Sequence, residues 1–219
     1  MSYLTYNGKM VVSEGKYVSD INTPEPGLTV VDFAGDDTTR YSTYIPDMDS
    51  NGSIKFKAYL DKDSGLTEGK FYNLKKNSAQ SFRALIVDSS LYLQGYSFAT
   101  SNKTRAIDIT GRDLEILEIE VIYTSDDPTA VNINEVSQTV YAATYSSTSG
   151  GVSSIGSNAY DQYLTDATIW DVRTYTSGAA LTHQWLGTGV NANLDSAWTD
   201  QVGVLDMTVI GSPATRSIP

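Results

Sequence analysis

Alternation of apolar and polar residues constrains this chain of 219 residues more than any other sequence feature. In residues 53–61, the inward set is Ile54, Phe56, Ala58 and Leu60, and the outward set is Lys55, Lys57, Tyr59 and Asp61. In residues 114–123, the inward set is Leu117, Ile119, Val121 and Tyr123, with Glu118 and Glu120 on the opposite face. A period of two residues is that of a β-strand with one buried face.

A third segment, residues 167–176, is predicted to be a central strand of a β-sandwich. Its alternation places one set of side chains on each face: Trp170, Val172 and Thr174 on one, and Ile169, Asp171, Arg173 and Tyr175 on the other. Residues 181–186, followed by Gly187, predict the one helical turn of the chain, because glycine commonly ends a helix.

Further short strands make the predicted fold all-β. They cover residues 28–35, 41–45, 82–87, 90–94, 131–136, 139–145 and 207–210. Turn-forming residues separate the segments, as in the hairpin through Asp88-Ser89. Many short strands with turn signals about every 8–12 residues are typical of sandwiches and jelly rolls. The predicted fold class is therefore a two-sheet antiparallel β-sandwich.

Residues 1–27 are predicted to be an arm and linker ahead of a domain over residues 28–219. Asn7-Gly8 and Glu14-Gly15 are hairpin signals, and residues 23–27 (TPEPG) break regular structure. A ribbon of two or three strands is marginal alone, so it packs on the main domain or on another chain. We favour another chain, because a proline-rich tether separates an arm from its body. The predicted contact residues are Tyr3, Leu4, Tyr6, Val11 and Tyr17.

Charge and composition argue against several classes of partner. The formal net charge of −11 disfavours a nucleic-acid backbone and an anionic membrane surface. No window approaches the roughly 18 apolar residues that span a bilayer, and residues 1–10 lack the pattern of a secretory signal. The absence of cysteine excludes disulfides and zinc–thiolate sites. We expect synthesis in a cytoplasm and no nucleic-acid or membrane partner.

Five motifs occur in a fixed order along the chain. They are residues 31–37 (VDFAGDD), the strand 53–61, Ile155-Gly-Ser, residues 167–175 (ATIWDVRTY) and Leu181. In this order they resemble the concanavalin A-like, laminin-G-like jelly-roll family over about residues 28–215. Thr174 departs from the family pattern, which has an aliphatic residue there. The resemblance implies two antiparallel sheets of about six or seven strands each, packed face to face.

Residues 1–20 (MSYLTYNGKMVVSEGKYVSD) resemble the short N-terminal arms of tailed-phage virion proteins. Together, the two resemblances imply a non-enzymatic virion structural protein of a bacteriophage: a capsid decoration protein, a head or tail fibre, or an appendage subunit. The expected location is the virion, and the expected partners are other virion proteins and further copies of this chain. The alternative function is a carbohydrate-binding adhesin that attaches to host or environmental glycans.

No catalytic pattern accompanies the predicted fold. The single histidine, His183, has neither a Gly-x-Ser-x-Gly elbow nor a cysteine to act with. Glycosidases of this fold carry carboxylates along one strand, and Glu115, Glu118 and Glu120 invite the comparison. Glu118 and Glu120 are predicted to lie about 7 Å apart on one face, but the aspartate and the third acid of the hydrolase run are missing. We expect a solvated strand face and no enzymatic activity.

Calcium is the one candidate cofactor. The candidate ligands are oxygen-bearing side chains in two loops: Asp36, Asp37, Asp47, Asp49 and Asn51. Residues 47–52 match the first half of a calcium-binding loop, but Ala58 stands where the bidentate glutamate belongs. An Asx turn accounts for the same residues. The first pair lies in the opening loop, where the resemblance implies calcium in some relatives.

Two sets of residues combine aromatic rings with polar groups, as carbohydrate recognition requires. The first set precedes the central strand and contains Tyr160, Asp161, Gln162 and Tyr163. The second contains Tyr92 and Tyr96, which flank Gln94. Strand packing and contact with a partner chain are the alternative roles of both sets.

Overall fold

The structure is a computed structural model. It describes residues 4–6, 9–13, 16–17, 28–34, 40–43, 51–60, 68–73, 81–87, 90–96, 107–112, 114–124, 127–138, 153–155, 166–187, 198–210 and 214–218. Within these ranges all regular secondary structure is β, which confirms the predicted all-β class.

Eighteen strands are defined among the described residues. In chain order they are β1 (Leu4–Tyr6), β2 (Lys9–Ser13), β3 (Lys16–Tyr17), β4 (Leu28–Ala34), β5 (Arg40–Thr43), β6 (Gly52–Leu60), β7 (Glu68–Asn73), β8 (Ser81–Val87), β9 (Ser90–Tyr96), β10 (Ile107–Asp108), β11 (Ile116–Thr124), β12 (Asp127–Ile133), β13 (Val136–Gln138), β14 (Ser153–Ile155), β15 (Asp166–Thr176), β16 (Leu181–Trp185), β17 (Thr208–Ile210) and β18 (Ala214–Ile218).

The strands pair into three antiparallel sheets. The N-terminal sheet has the order β1-β2-β3, with Tyr6 opposite Lys9 and Ser13 opposite Lys16. The central sheet has the order β13-β12-β11-β6-β15-β4-β18, and β16 also pairs with β15. The second large sheet has the order β10-β9-β8-β7-β14-β5-β17. The predicted hairpins at both ends of β2 and between β8 and β9 are confirmed.

One apolar core draws on both large sheets. The ring centroids of Phe56 in β6 and Phe71 in β7 are 5.2 Å apart. The predicted inward residues of β6 and β11 are all buried in this core: Ile54, Phe56, Ala58, Leu60, Leu117, Ile119, Val121 and Tyr123. Burial of this apolar surface provides the main driving force for folding. The period-two prediction is thus confirmed for these two strands.

The predicted alternation of β15 is wrong, because a β-bulge interrupts it. β15 lies between β6 and β4 in the central sheet, as predicted for a central strand. Its register against β6 shifts between Trp170 and Arg173, and Asp171 has a φ of 51°. The extra residue reverses the faces, so that Ile169 and Val172 both lie in the main core. Trp170 points to the other face of the sheet.

A second, smaller apolar cluster surrounds Trp170. It contains Val30 of β4, Tyr59 of β6 and Ile218 of β18, all of them buried. Tyr59 was predicted to face solvent, and that prediction is wrong because Trp170 packs on the same face. Apolar groups therefore cover part of both faces of the central sheet.

The predicted helical turn at residues 181–186 is a strand. Leu181 pairs with Tyr175, and Trp185 pairs with Val172, so that β15 and β16 form a hairpin. Residues four apart share a face in both a helix and a strand, which makes five residues ambiguous. Gly187 does not end a helix, as predicted, but leaves room for a neighbouring ring. A Cβ atom at this position would collide with the indole ring of Trp198.

Other differences concern strand ends and short strands. The strand predicted over residues 131–136 ends at Ile133, and the chain reverses through Asn134 and Glu135, both of which have positive φ angles. Strands β7, β10 and β18 were not predicted. The strand predicted over residues 139–145 lies outside the described residues.

Candidate functional site

Most residues predicted to bind carbohydrate or calcium lie outside the described residues. These are Tyr160, Asp161, Gln162, Tyr163, Asp36, Asp37, Asp47 and Asp49. Asn51 is described and is exposed directly before β6. Within the described part of the chain, no three His, Asp or Glu side chains are grouped to hold a metal ion. Calcium binding therefore stays a prediction.

The remaining residues predicted to bind carbohydrate or to mediate assembly lie on β9 or in the N-terminal sheet, except for Tyr3. Tyr92 and Tyr96 lie on β9, opposite Leu85 and Ser81 of β8. The N-terminal sheet contains Leu4, Tyr6, Val11 and Tyr17. Tyr3 precedes β1, outside the described residues.

His183 and Asp200 form the centre of a polar cluster at the edge of the central sheet. Nδ1 of His183 lies 2.6 Å from Oδ2 of Asp200. An isolated bridge between Trp185 and Asp200 brings residue 200 alongside β16. The imidazole ring stacks on the indole ring of Trp185, with ring centroids 5.4 Å apart. These contacts fix both the position and the plane of the histidine ring.

The carboxylate of Asp200 is fully buried and accepts several backbone hydrogen bonds. Oδ1 accepts the N–H groups of Gln184 and Val202 at 3.1 Å, and Oδ2 accepts that of Leu205 at 3.2 Å. Burial by itself raises the pKa of Asp200, but the hydrogen bonds from His183 and the backbone outweigh it and hold the pKa well below its usual range. The carboxylate is therefore ionised at neutral pH.

The ionised carboxylate determines the tautomer of the histidine. Because the oxygens of Asp200 carry no proton at neutral pH, the proton between the two side chains belongs to Nδ1 of His183. A histidine oriented by an aspartate is also found in catalytic triads. Here, the bonds of Asp200 hold the backbone of residues 201–205, and this geometry supports a structural role.

Gly203 allows the loop to close over this pair. A Cβ atom at position 203 would lie 2.5 Å from Oδ2 of Asp200 and 2.8 Å from Nδ1 of His183. Asp206 completes the turn, since its Oδ1 accepts the N–H of Asp200 at 2.9 Å. His183 was considered from the sequence, whereas Asp200 was not. The available signal was an aspartate three residues before a glycine, which is a common turn pattern.

A second polar cluster surrounds Asp171 at the β-bulge. Oδ1 accepts hydrogen bonds from Nε of Arg173 at 2.9 Å and from Nε2 of Gln184 at 2.8 Å. Oδ2 contacts Nη2 of Arg173, and Nζ of Lys57 lies 3.7 Å away. Burial lowers the pKa of Arg173, but Asp171 more than compensates and raises it. The bulge thus places one carboxylate among three donor side chains.

Glu118 and Glu120 lie on the same face of β11, as predicted, but each has its own partner. Nζ of Lys55 lies 2.6 Å from Oε1 of Glu118, and this hydrogen bond is the main cause of the raised pKa of Lys55. Glu120 accepts hydrogen bonds from Ser53 at 3.2 Å and from Asn132 at 2.8 Å. Both glutamates are half-buried, so the face that was predicted to be solvated is only partly exposed to solvent. Cross-strand pairs of this kind stabilise a sheet.

No protein-family model matches the chain, and no curated protein is significantly similar to it. The jelly-roll and phage resemblances therefore stay predictions. Of the residues that the structure describes, none belongs to a helix long and apolar enough to cross a membrane.

Proposed function

We propose that this protein is a non-enzymatic structural component of a phage virion. In this proposal, residues 28–219 form a lectin-like jelly roll that is displayed on the particle. Residues 1–27 form an arm that anchors the domain to neighbouring virion subunits or to further copies of the chain. The virion is its proposed location, with the protein synthesised in the host cytoplasm.

The N-terminal sheet carries this proposal. Its three strands pair in the order β1-β2-β3 and belong to neither large sheet. β1 and β3 have three and two residues, so the sheet is too small to be stable by itself. Its outer strands also offer backbone N–H and C=O groups to a further strand. Such a ribbon gains stability from a surface to pack on, and an assembly partner supplies one.

The shared core supports the two-sheet sandwich that the proposal requires. Phe56 and Phe71 belong to different sheets, and their rings are in contact. Two antiparallel sheets that bury their inner faces against each other form a stable body without a cofactor. Such a body leaves its loops free for contacts. Both the two-sheet sandwich and its jelly-roll topology are part of the proposal.

The polar clusters support a structural rather than a catalytic role. Asp200 binds backbone N–H groups of its own loop, and Asp171 is held by Arg173 and Gln184. Glu118 and Glu120, the pair that invited comparison with glycosidases, are engaged by Lys55 and by Ser53 and Asn132 respectively. These bonds connect strands and loops of the domain.

Deletion of residues 1–27 tests the proposal. We expect the full chain to self-associate in sedimentation velocity experiments, and the deletion variant to sediment as a monomer. The melting temperature and circular dichroism of the variant should match those of a folded domain. As a matched control, a variant with residues 18–27 replaced by a flexible Gly/Ser linker of equal length should still associate.

Two outcomes contradict the proposal. If the deletion unfolds residues 28–219, the N-terminal sheet is part of the main domain and not an arm. If the deletion variant associates as the full chain does, residues 1–27 do not mediate assembly.

A further inference from the structure

An open cleft lies where the ends of three strands of the central sheet meet. Gly52 at the start of β6 pairs with Tyr123 of β11 and with Thr176 of β15. The cleft has a volume of about 390 Å³, within the range of sites for small ligands.

The walls of the cleft are fixed by backbone contacts. A Cβ atom at Gly52 would lie 2.5 Å from the carbonyl oxygen of Tyr175, so glycine allows the strands to close here. On the rim, the N–H of Thr176 donates to the carbonyl oxygen of Ala180 at 2.9 Å. Ala179 of the same turn has a φ of 59°, an uncommon conformation for alanine. The cleft is therefore formed before any ligand binds.

Among the lining residues that the structure describes, Glu120 carries the one charged side chain. Its two oxygens are oriented by hydrogen bonds from Ser53 and Asn132. A carboxylate in this position repels phosphate and sulfate groups. A calcium ion takes six to eight oxygen ligands and usually several carboxylates, so a single, already bonded glutamate is a poor site for it. The electrostatics of the cleft therefore disfavour anionic ligands, and the number of its carboxylates disfavours calcium.

The remaining lining suits a ligand with many hydroxyl groups. Hydroxyl and amide groups come from Asn51, Ser53, Thr124, Thr176 and Ser177. Hydroxyl groups both donate and accept, and a carboxylate accepts from a hydroxyl more strongly than a neutral oxygen does. Ile122 adds a half-buried apolar wall for the C–H face of a ring.

We propose that this cleft binds one neutral sugar residue, with its hydroxyl groups on Glu120 and the surrounding Ser and Thr side chains and its ring against Ile122. The inference deepens the lectin-like part of the proposed function and rests on it. It assigns recognition to the strand ends around Gly52 rather than to the tyrosine sets predicted from sequence.

Titration of the full chain with neutral methyl glycosides, followed by amide NMR, tests this proposal. Concentrations up to about 100 mM detect dissociation constants in the millimolar range. At least one of the methyl glycosides of glucose, galactose, mannose and N-acetylglucosamine should shift the amide signals of residues 51–53, 122–124 and 176–179. Glu120→Gln should weaken binding by about tenfold or more, because the charged acceptor is lost.

Glu118→Gln is the matched control. Glu118 lies on the same face of the same strand, but it bonds Lys55 and does not line the cleft. This variant should bind within about twofold of the parent. Ser177→Trp changes an exposed residue of the rim and should block the cleft without disturbing the core. Melting temperatures verify that each variant is folded.

Three results overturn the inference. The first is that no glycoside shifts these signals. The second is that a glycoside binds, but Glu120→Gln and Ser177→Trp leave its affinity unchanged. The third is that calcium chloride alone shifts the same signals while the glycosides do not. Each of these results leaves the sedimentation of the deletion variant unaffected, so failure of this inference is distinguishable from failure of the assembly proposal.

Discussion

Nδ1 of His183 and Oδ2 of Asp200 lie 2.6 Å apart and join β16 to the loop that follows residue 198. The same carboxylate accepts N–H groups from Gln184, Val202 and Leu205. One buried aspartate therefore organises this loop. Val202 and Val204 of the loop are 48% and 99% exposed, whereas Leu205 packs against the core, so the hydrogen bonds of Asp200 add to the apolar contact of a single residue.

Asp200→Asn is expected to lower the free energy of unfolding at pH 7 by about 2–4 kcal/mol, because the amide loses the charge and turns an N–H group toward buried donors. The pKa of Asp200 is lower in the folded state than the value of about 3.9 in the unfolded chain. The stabilisation is thus complete above that value and declines as the pH falls through it toward the folded-state pKa.

Urea denaturation at pH 7 and at about pH 3 checks this prediction. The difference between Asp200→Asn and the parent should be smaller at the lower pH. Asp108→Asn is the comparison: Asp108 is exposed, and hydrogen bonds from the side chain and the backbone N–H of Thr110 lower its pKa too, so its difference between the two pH values should have the same sign but be smaller. An equal difference at both pH values would show that the charge of Asp200 is unimportant.

Gly203→Ala is expected to destabilise the protein by about 1–3 kcal/mol, because the new methyl group meets Asp200 and His183 at 2.5 and 2.8 Å. Gly178→Ala provides the comparison. A Cβ atom at Gly178 has only the Oγ1 of Thr176 near it, at 3.7 Å, so the change should stay within about 0.5 kcal/mol. Thermal unfolding measures both variants. Equal melting temperatures would refute the close approach of Gly203 to the pair.

Glu135→Gly is expected to stabilise the protein by about 0.5–1 kcal/mol, because Glu135 has a φ of 65° in the tight turn between β12 and β13. Its neighbour Asn134 is better suited than glutamate to the positive φ of this turn. Oδ1 of Asn134 also accepts the N–H of Glu118 at 2.8 Å. Asn134→Ala should therefore destabilise the protein. Chemical denaturation distinguishes the two, and a loss of stability in Glu135→Gly would contradict the assigned turn.

The strands that the sequence predicts best are those with one uniformly apolar face. β6 and β11 alternate without interruption, and their inner residues all reach the core. β15 breaks this rule, because Asp171 inserts one extra residue into a ladder. A bulge leaves the composition of a strand unchanged and shifts only its register. In the sequence, the one sign of this bulge is a polar residue between Trp170 and Val172.

The polar cluster of His183 and Asp200 could not be predicted from the sequence for a different reason. His183 and Asp200 are 17 residues apart and meet only because Asp200 lies alongside Trp185 of β16. Because residues 181–186 were interpreted as a helical turn, no edge strand was expected there. The contact between His183 and Asp200 was therefore not expected either. Glu118 and Glu120, in contrast, share a strand, and their common face followed directly from the period of two.

The contact between Phe56 and Phe71 offers the most direct test of the central claim, that the two large sheets close on one core. A double-mutant cycle with Phe56→Leu and Phe71→Leu should give a coupling free energy of about 0.5–1.5 kcal/mol, as expected for contacting aromatic rings. Val30 belongs to the separate cluster around Trp170, so Val30→Ala should be additive with Phe71→Leu. Additive effects of the two phenylalanine substitutions, within about 0.3 kcal/mol, would contradict a shared core and the sandwich built on it.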